Sequence, residues 1–149
     1  MGGQVINQKK LILPLIVAFI IFVIVVTINA LDPLDRMFGG HGRNFEAIIT
    51  ILIFPVVPII YGWFTEDDTG AVIVGIVPIV SFLFYGNFVY GNFVLGDKSR
   101  ILDVTTYAVS LASVGGLGGY FASKRRIEYL FIAICLCVLW ILVFFTGID

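Results

Sequence analysis

Charge is what this chain has least of. Only 13% of its 149 residues are Asp, Glu, Lys or Arg, and 60% are apolar. Soluble domains run at about 25% and about 45–50% respectively. The few charges are also unevenly placed: five stretches, at about 11–31, 45–64, 71–95, 101–122 and 127–146, carry none except at their ends. A helix rises about 1.5 Å per residue, so about twenty residues cross a bilayer core about 30 Å thick. The pattern predicts an all-α membrane protein, a bundle of five transmembrane helices that forms a single integral membrane domain over residues 1–149. The connections are too short to hold a core of their own, so function is expected within the helices or at their rims.

Other shortages exclude further classes. A net charge of −1 leaves no electrostatic footprint for nucleic acid. The two cysteines, Cys135 and Cys137, point about 200° apart round a helix and cannot bridge to each other. They read as small apolar residues. The single histidine, His41, sits among glycines, and there is no HExxH, nucleophile elbow or Cys/His cluster. No enzyme activity, metal or cofactor is therefore expected. The lack of ionisable groups inside the runs argues against a pump, a proton-coupled carrier or a voltage sensor. The first run follows Lys9 and Lys10 as a signal peptide would, but at about twenty residues it exceeds the 7–15 of a signal core and reads as a helix. Ile6 stands where N-myristoylation after Gly2 requires Ser or Thr.

The remaining charges set the orientation. With the N-terminus inside, the cytoplasmic face carries Lys9, Lys10, Lys124, Arg125 and Arg126, and the outer face carries Arg36, Arg43, Lys98 and Arg100. The Lys124–Arg126 run occupies the shortest loop, where the positive-inside bias acts most strongly. The N-terminus is expected in the cytoplasm and the C-terminus outside, with the cell membrane as host. Asp32, Asp35, His41, Asp97 and Asp103 then share the outer rim, the one place where a reactive site could assemble. Glu66, Asp67 and Asp68 precede the third run and suit the first turn of its helix. A cation site there lacks the oxygen spacing of known calcium loops.

Two patterns lie within the runs. Pro55 and Pro58 in the second and Pro78 in the third predict bends near mid-membrane, with Thr50, Ser81 and Asn87 as possible polar lining. The third run also holds a tandem pentapeptide, Tyr85-Gly86-Asn87-Phe88-Val89 followed by Tyr90-Gly91-Asn92-Phe93-Val94. If helical over 71–95 it would reach about 37 Å, which places the second copy in the interface. The fourth run carries the packing signal. Ala108, Ala112 and Gly116, and likewise Gly115 and Gly119, recur at four-residue spacing, the pattern that lets helix backbones approach closely in lipid. Gly115–Gly119 is not a phosphate cradle, having neither the strand nor the lysine that motif requires. These features predict a non-enzymatic structural or accessory subunit of a membrane assembly. Its expected partners are the lipid bilayer and either a second copy or other membrane subunits. The alternative is a small solute carrier or channel between the proline-kinked second and third helices.

Overall fold

A computed structural model describes the backbone at residues 8–31, 42–89 and 98–146, and side chains at 11–31, 45–86 and 102–145. Five helices fill it: α1 (Gln8–Leu31), α2 (Gly42–Thr65), α3 (Asp68–Val89), α4 (Lys98–Ser123) and α5 (Ile127–Thr146).

Local chemistry explains the two tight turns. Thr65 donates its hydroxyl to the Tyr61 carbonyl (2.7 Å) and the Glu66 amide bonds to Gly62 O (3.0 Å), so α2 closes on itself at its last turn. Glu66 then takes a left-handed conformation, φ 56°, which reverses the chain. The Asp67 carboxylate accepts from the Gly70 amide at 3.0 Å and caps α3. Arg125, φ 53°, plays the same reversing part between α4 and α5.

Contacts along the helices show an up-and-down bundle. Asn29 near the end of α1 donates to Thr50 in the first half of α2. The rings of Phe54 and Phe82 lie 5.4 Å apart between α2 and α3, and Trp140 of α5 donates its indole N–H to Leu111 O of α4 at 3.0 Å. The start of α1 and both tight turns therefore gather at one end, called here the turn end. α4 is central, packing on α2, α3 and α5, while α1 leans chiefly on α3. Trp140, 1% exposed, anchors the interior beside Phe54, Ile79 and Leu111.

The outside is apolar as well as the core. Large apolar side chains such as Phe19, Ile24, Phe45, Phe131 and Leu142 are exposed, whereas Glu46, Thr50 and Ser123 are buried. Water rarely tolerates a continuous apolar surface of this kind. α1, α2, α3 and α5 are long and apolar enough to cross a bilayer, and together with this exterior they point to a membrane location. α4 does not reach that apolarity. Thr105, Thr106, Ser110, Ser113 and its four glycines dilute it, and three neighbouring helices cover much of its surface instead.

The expected boundaries shift accordingly. The third helix starts at Asp68 rather than 71 and is described to Val89, so the second pentapeptide copy lies outside the described residues. α2 and α3 run unbroken through Pro55, Pro58 and Pro78, all three fully buried.

Candidate functional site

Three places bring chemistry-bearing or packing residues together. The first is the seam along α4. A Cβ on Gly75 of α3 would lie 2.6 Å from Gly115 O, and one on Gly115 would lie 3.0 Å from Gly75 O. A Cβ on Gly119 would sit 2.7 Å from Ala71 O and 3.1 Å from Pro58 Cβ. Gly62 of α2 approaches the Gly119 carbonyl in turn. Backbones therefore meet at two levels, Gly75 with Gly115 and Gly62 with Ala71 and Gly119. Gly116 faces the side chains of Ile76 and Val72, and Ala108 and Ala112 are buried. The close neighbours of these glycines belong to the same chain, a point the spacing alone left open. Pro58 fills space against Gly119 instead of opening a gap beside it. Gly118 is the exception among the four glycines, its nearest neighbour Ile59 being 3.7 Å away.

The second place is a polar set between α1 and α2 at the end opposite the turns. Asn29 donates to the Thr50 hydroxyl at 3.1 Å and to the Val25 carbonyl at 2.8 Å. Glu46 stands one helical turn before Thr50 on α2 and is only 3% exposed. At the edge of its apolar run Glu46 reads as an ordinary terminal charge, yet the fold encloses it. The run is thus charged only at its end, as its sequence reads, but that end charge is enclosed, which in a membrane helix makes it a candidate site. A signal existed in the four-residue spacing of Glu46 and Thr50. Of the other proposed polar residues, Ser81 is half-buried on α3, and the side chain of Asn87 lies outside the described residues. Thr50 turns toward α1, away from the α2–α3 path expected for it.

The third place is the turn end, where the two tight turns are cross-linked. Lys124 and the Ser123 hydroxyl bond to the Asp68 carboxylate, and Arg125 pairs with Glu66. The two residues with left-handed backbones, Glu66 and Arg125, are thus each other's partners. The hydrogen bond that Lys124 donates to the Asp68 carboxylate raises its ammonium above the usual lysine range. Beside this clamp lies an open cavity of about 450 Å³, between Leu13 of α1, Tyr61 and Thr65 of α2, and Asp67–Thr69. Its carboxylates are committed: Glu66 to Arg125, Asp68 to Lys124 and Asp67 to the α3 cap. Each carboxylate thus already has a partner within the chain, and none of the three is held ready for a cation alone. Among the described residues no three His, Cys, Asp or Glu side chains cluster as a metal site.

Of the rim residues, Asp103 is exposed on α4, while Asp32, Asp35, His41 and Asp97 lie outside the described residues. Comparison with protein-family models, with curated proteins and with solved structures finds no match.

Proposed function

We propose that the chain is a five-span integral membrane protein of the cell membrane, with its N-terminus in the cytoplasm and its C-terminus outside, acting as a non-enzymatic structural or accessory subunit of a membrane assembly. The observation that carries this reading is the outward face of α4. Thr105, Thr106, Ser110 and Ser113 are exposed on the one helix that lacks the apolarity to face lipid. Ser110 and Ser113 turn their hydroxyls back to Thr106 O (2.9 Å) and Val109 O (2.7 Å), which lessens the cost of lipid exposure without removing it. A partner helix on this face would gain hydrogen bonds worth about 0.6–2 kcal/mol each. The glycine seam no longer argues for a partner, since its close contacts are internal; the hydroxyl face takes over that role. The orientation is supported by the gathering of Lys124–Arg126 and the start of α1 at one end.

Extraction in mild detergent, followed by the mass and composition of the particle, tests the reading. A hetero-complex or homo-oligomer that falls apart when Thr106 and Ser110 are both replaced by leucine is expected. A single-chain particle that the same replacement leaves unchanged refutes it.

The enclosed Glu46 favours a second reading, a small solute carrier whose path runs along the α1–α2 seam past Asn29 and Thr50. Solute flux in proteoliposomes that Glu46→Gln abolishes, with the particle intact, would replace the subunit reading.

A further inference from the structure

We propose that the outer groove between α3 and α4 is a phospholipid site, taking one acyl chain of a lipid whose zwitterionic headgroup ends in a primary ammonium. The groove encloses about 490 Å³ and is lined by Val72 and Ile76 of α3 and by Ser113, Gly116, Leu117 and Tyr120 of α4. The fold makes it for a specific reason. Gly75 with Gly115, and Ala71 with Gly119, draw the two backbones together. Gly116 lies in the floor of the trough, with Ile76 and Val72 closing over it to 3.0 Å and 3.6 Å from where its Cβ would stand. From Ser113 to Tyr120 the trough runs about 10 Å along the helix, with an apolar lining and one hydroxyl at its deep end.

The mouth selects the occupant. One helical turn beyond Val72 stands Asp68, and one turn beyond Tyr120 stands Lys124. The two are ion-paired and Asp68 also accepts from Ser123, yet their side chains remain 44% and 32% exposed, so lone pairs of Asp68 and N–H groups of Lys124 still face outward. The Lys124 ammonium also lies 4.4 Å from the centre of the Tyr120 ring, at the edge of the trough. A phosphate can accept from Lys124 while a primary ammonium next to it donates to Asp68. Choline has no N–H to donate, and a glycerol headgroup brings no cation to offset Asp68, so both lack half of the match. A second copy's helix fits less well. A helix is about 10–12 Å across with its side chains, and one lying in the trough would run into the Lys124–Asp68 pair at the point where a lipid has its headgroup. The inference requires only a membrane location and holds for either orientation and for a single chain or a subunit. The trough shares only Ser113 with the hydroxyl face proposed for a partner; Thr105, Thr106 and Ser110 lie farther along α4, toward the other end.

The test uses the full chain, stripped of lipid in detergent and returned to nanodiscs of a single lipid: dioleoyl phosphatidylethanolamine, phosphatidylcholine or phosphatidylglycerol. Native mass spectrometry after release reads the lipid retained. One phosphatidylethanolamine per chain is expected, kept about tenfold more tightly than the other two, the difference that one charge-assisted hydrogen bond makes. Gly116→Leu should abolish retention by filling the trough. Ser113→Phe, at a position exposed in the single chain, should do the same at the deep end and guards against a folding defect in the first variant, while Thr106→Leu with Ser110→Leu, which touches only the partner face, should leave retention unchanged. Lys124→Gln should keep a lipid but lose the preference for ethanolamine. Equal retention of the three lipids overturns the proposal, as does retention that survives both Gly116→Leu and Ser113→Phe. A two-chain particle that both variants convert to one chain, with no lipid bound, overturns it in favour of a second copy in the trough.

Discussion

Gly75→Ala is the sharpest probe of how this bundle is held together. The added Cβ would lie 2.6 Å from Gly115 O, 2.7 Å from Gly115 C and 2.8 Å from Gly116 N. All three are backbone atoms of α4, so no side chain can swing away. Ordinary contact begins at 3.4 Å, and restoring it means separating α3 and α4 by about 0.8 Å at the crossing (3.4 − 2.6). Overpacking of this kind costs about 1–3 kcal/mol. Alanine returns about 0.5–1 kcal/mol as the better helix former, which leaves a net loss of about 1–2 kcal/mol. At about 4 °C per kcal/mol for a chain of this size, the apparent Tm in detergent should fall by about 4–8 °C. Gly118→Ala is the control. Its Cβ would meet nothing closer than 3.7 Å, so only the propensity gain remains and Tm should hold or rise. Trp140 stands 3.6 Å from the Gly115 Cβ position, and its fluorescence follows the same crossing during the melt. If Gly75→Ala and Gly118→Ala melt together, α3 and α4 do not cross at backbone contact and the account of the seam is wrong.

Three other outcomes are expected. Cysteines introduced at positions 40 and 67 in a background lacking Cys135 and Cys137 should be labelled from opposite sides, position 67 from the cytoplasm; labelling of both from one side removes a helix from the crossing count. Tyr107→Phe should cost about 1 kcal/mol, because the lost hydroxyl donates at 2.7 Å to the Phe144 carbonyl and ties α4 to the end of α5; an unchanged melt would show that water replaces it. Lys124→Met should lower Tm slightly and by the same amount at pH 7 and pH 9. Pairing raises Lys124 above its ordinary value of 10.5, so its contribution is complete below that value and is lost only as pH rises through the raised one; a deficit that disappears between pH 7 and pH 9 contradicts the pairing with Asp68.

Much of this architecture was legible from where the charges and turn formers stand. The apolar runs mark the helices, and Thr65–Gly70 and Ser123–Arg126 mark the tight turns, because these short segments between runs carry polar groups that a helix interior could not bury. Pairing between the turns was not legible. Five alternating helices bring both turns to one end, but nothing in the spacing tells Glu66 to meet Arg125 or Asp68 to meet Lys124. The seam was half legible. Small residues every fourth position on α4 announce a close approach, whereas Gly75 and Gly62, which receive it, are single glycines in apolar runs and carry no period. The enclosure of Glu46 was not legible either: it stands at the end of an apolar run, and only the fold shows it buried.

The five-span reading makes one demand that the other helices do not face. α4 has to enter the bilayer although its Gly, Ser and Thr content leaves it short of the apolarity of α1, α2, α3 and α5. Gly115 and Gly119 are used for backbone contact, which pays only once α2 and α3 are present to be touched. Entry of α4 should therefore depend on its neighbours. Placed alone in a host protein with a glycosylation reporter, residues 98–123 should insert poorly, and residues 8–31 or 127–146 should insert fully. Adding α2 and α3 ahead of α4 should restore its insertion, and Gly75→Leu in that fragment should reduce it again by blocking the Gly115 contact. Replacing Thr106 and Ser110 with leucine should raise the insertion of α4 alone, since that removes the polar face without touching the seam. Full insertion of the isolated segment would mean that its hydroxyl face is at ease in lipid, and the need for a partner on that face would vanish with it.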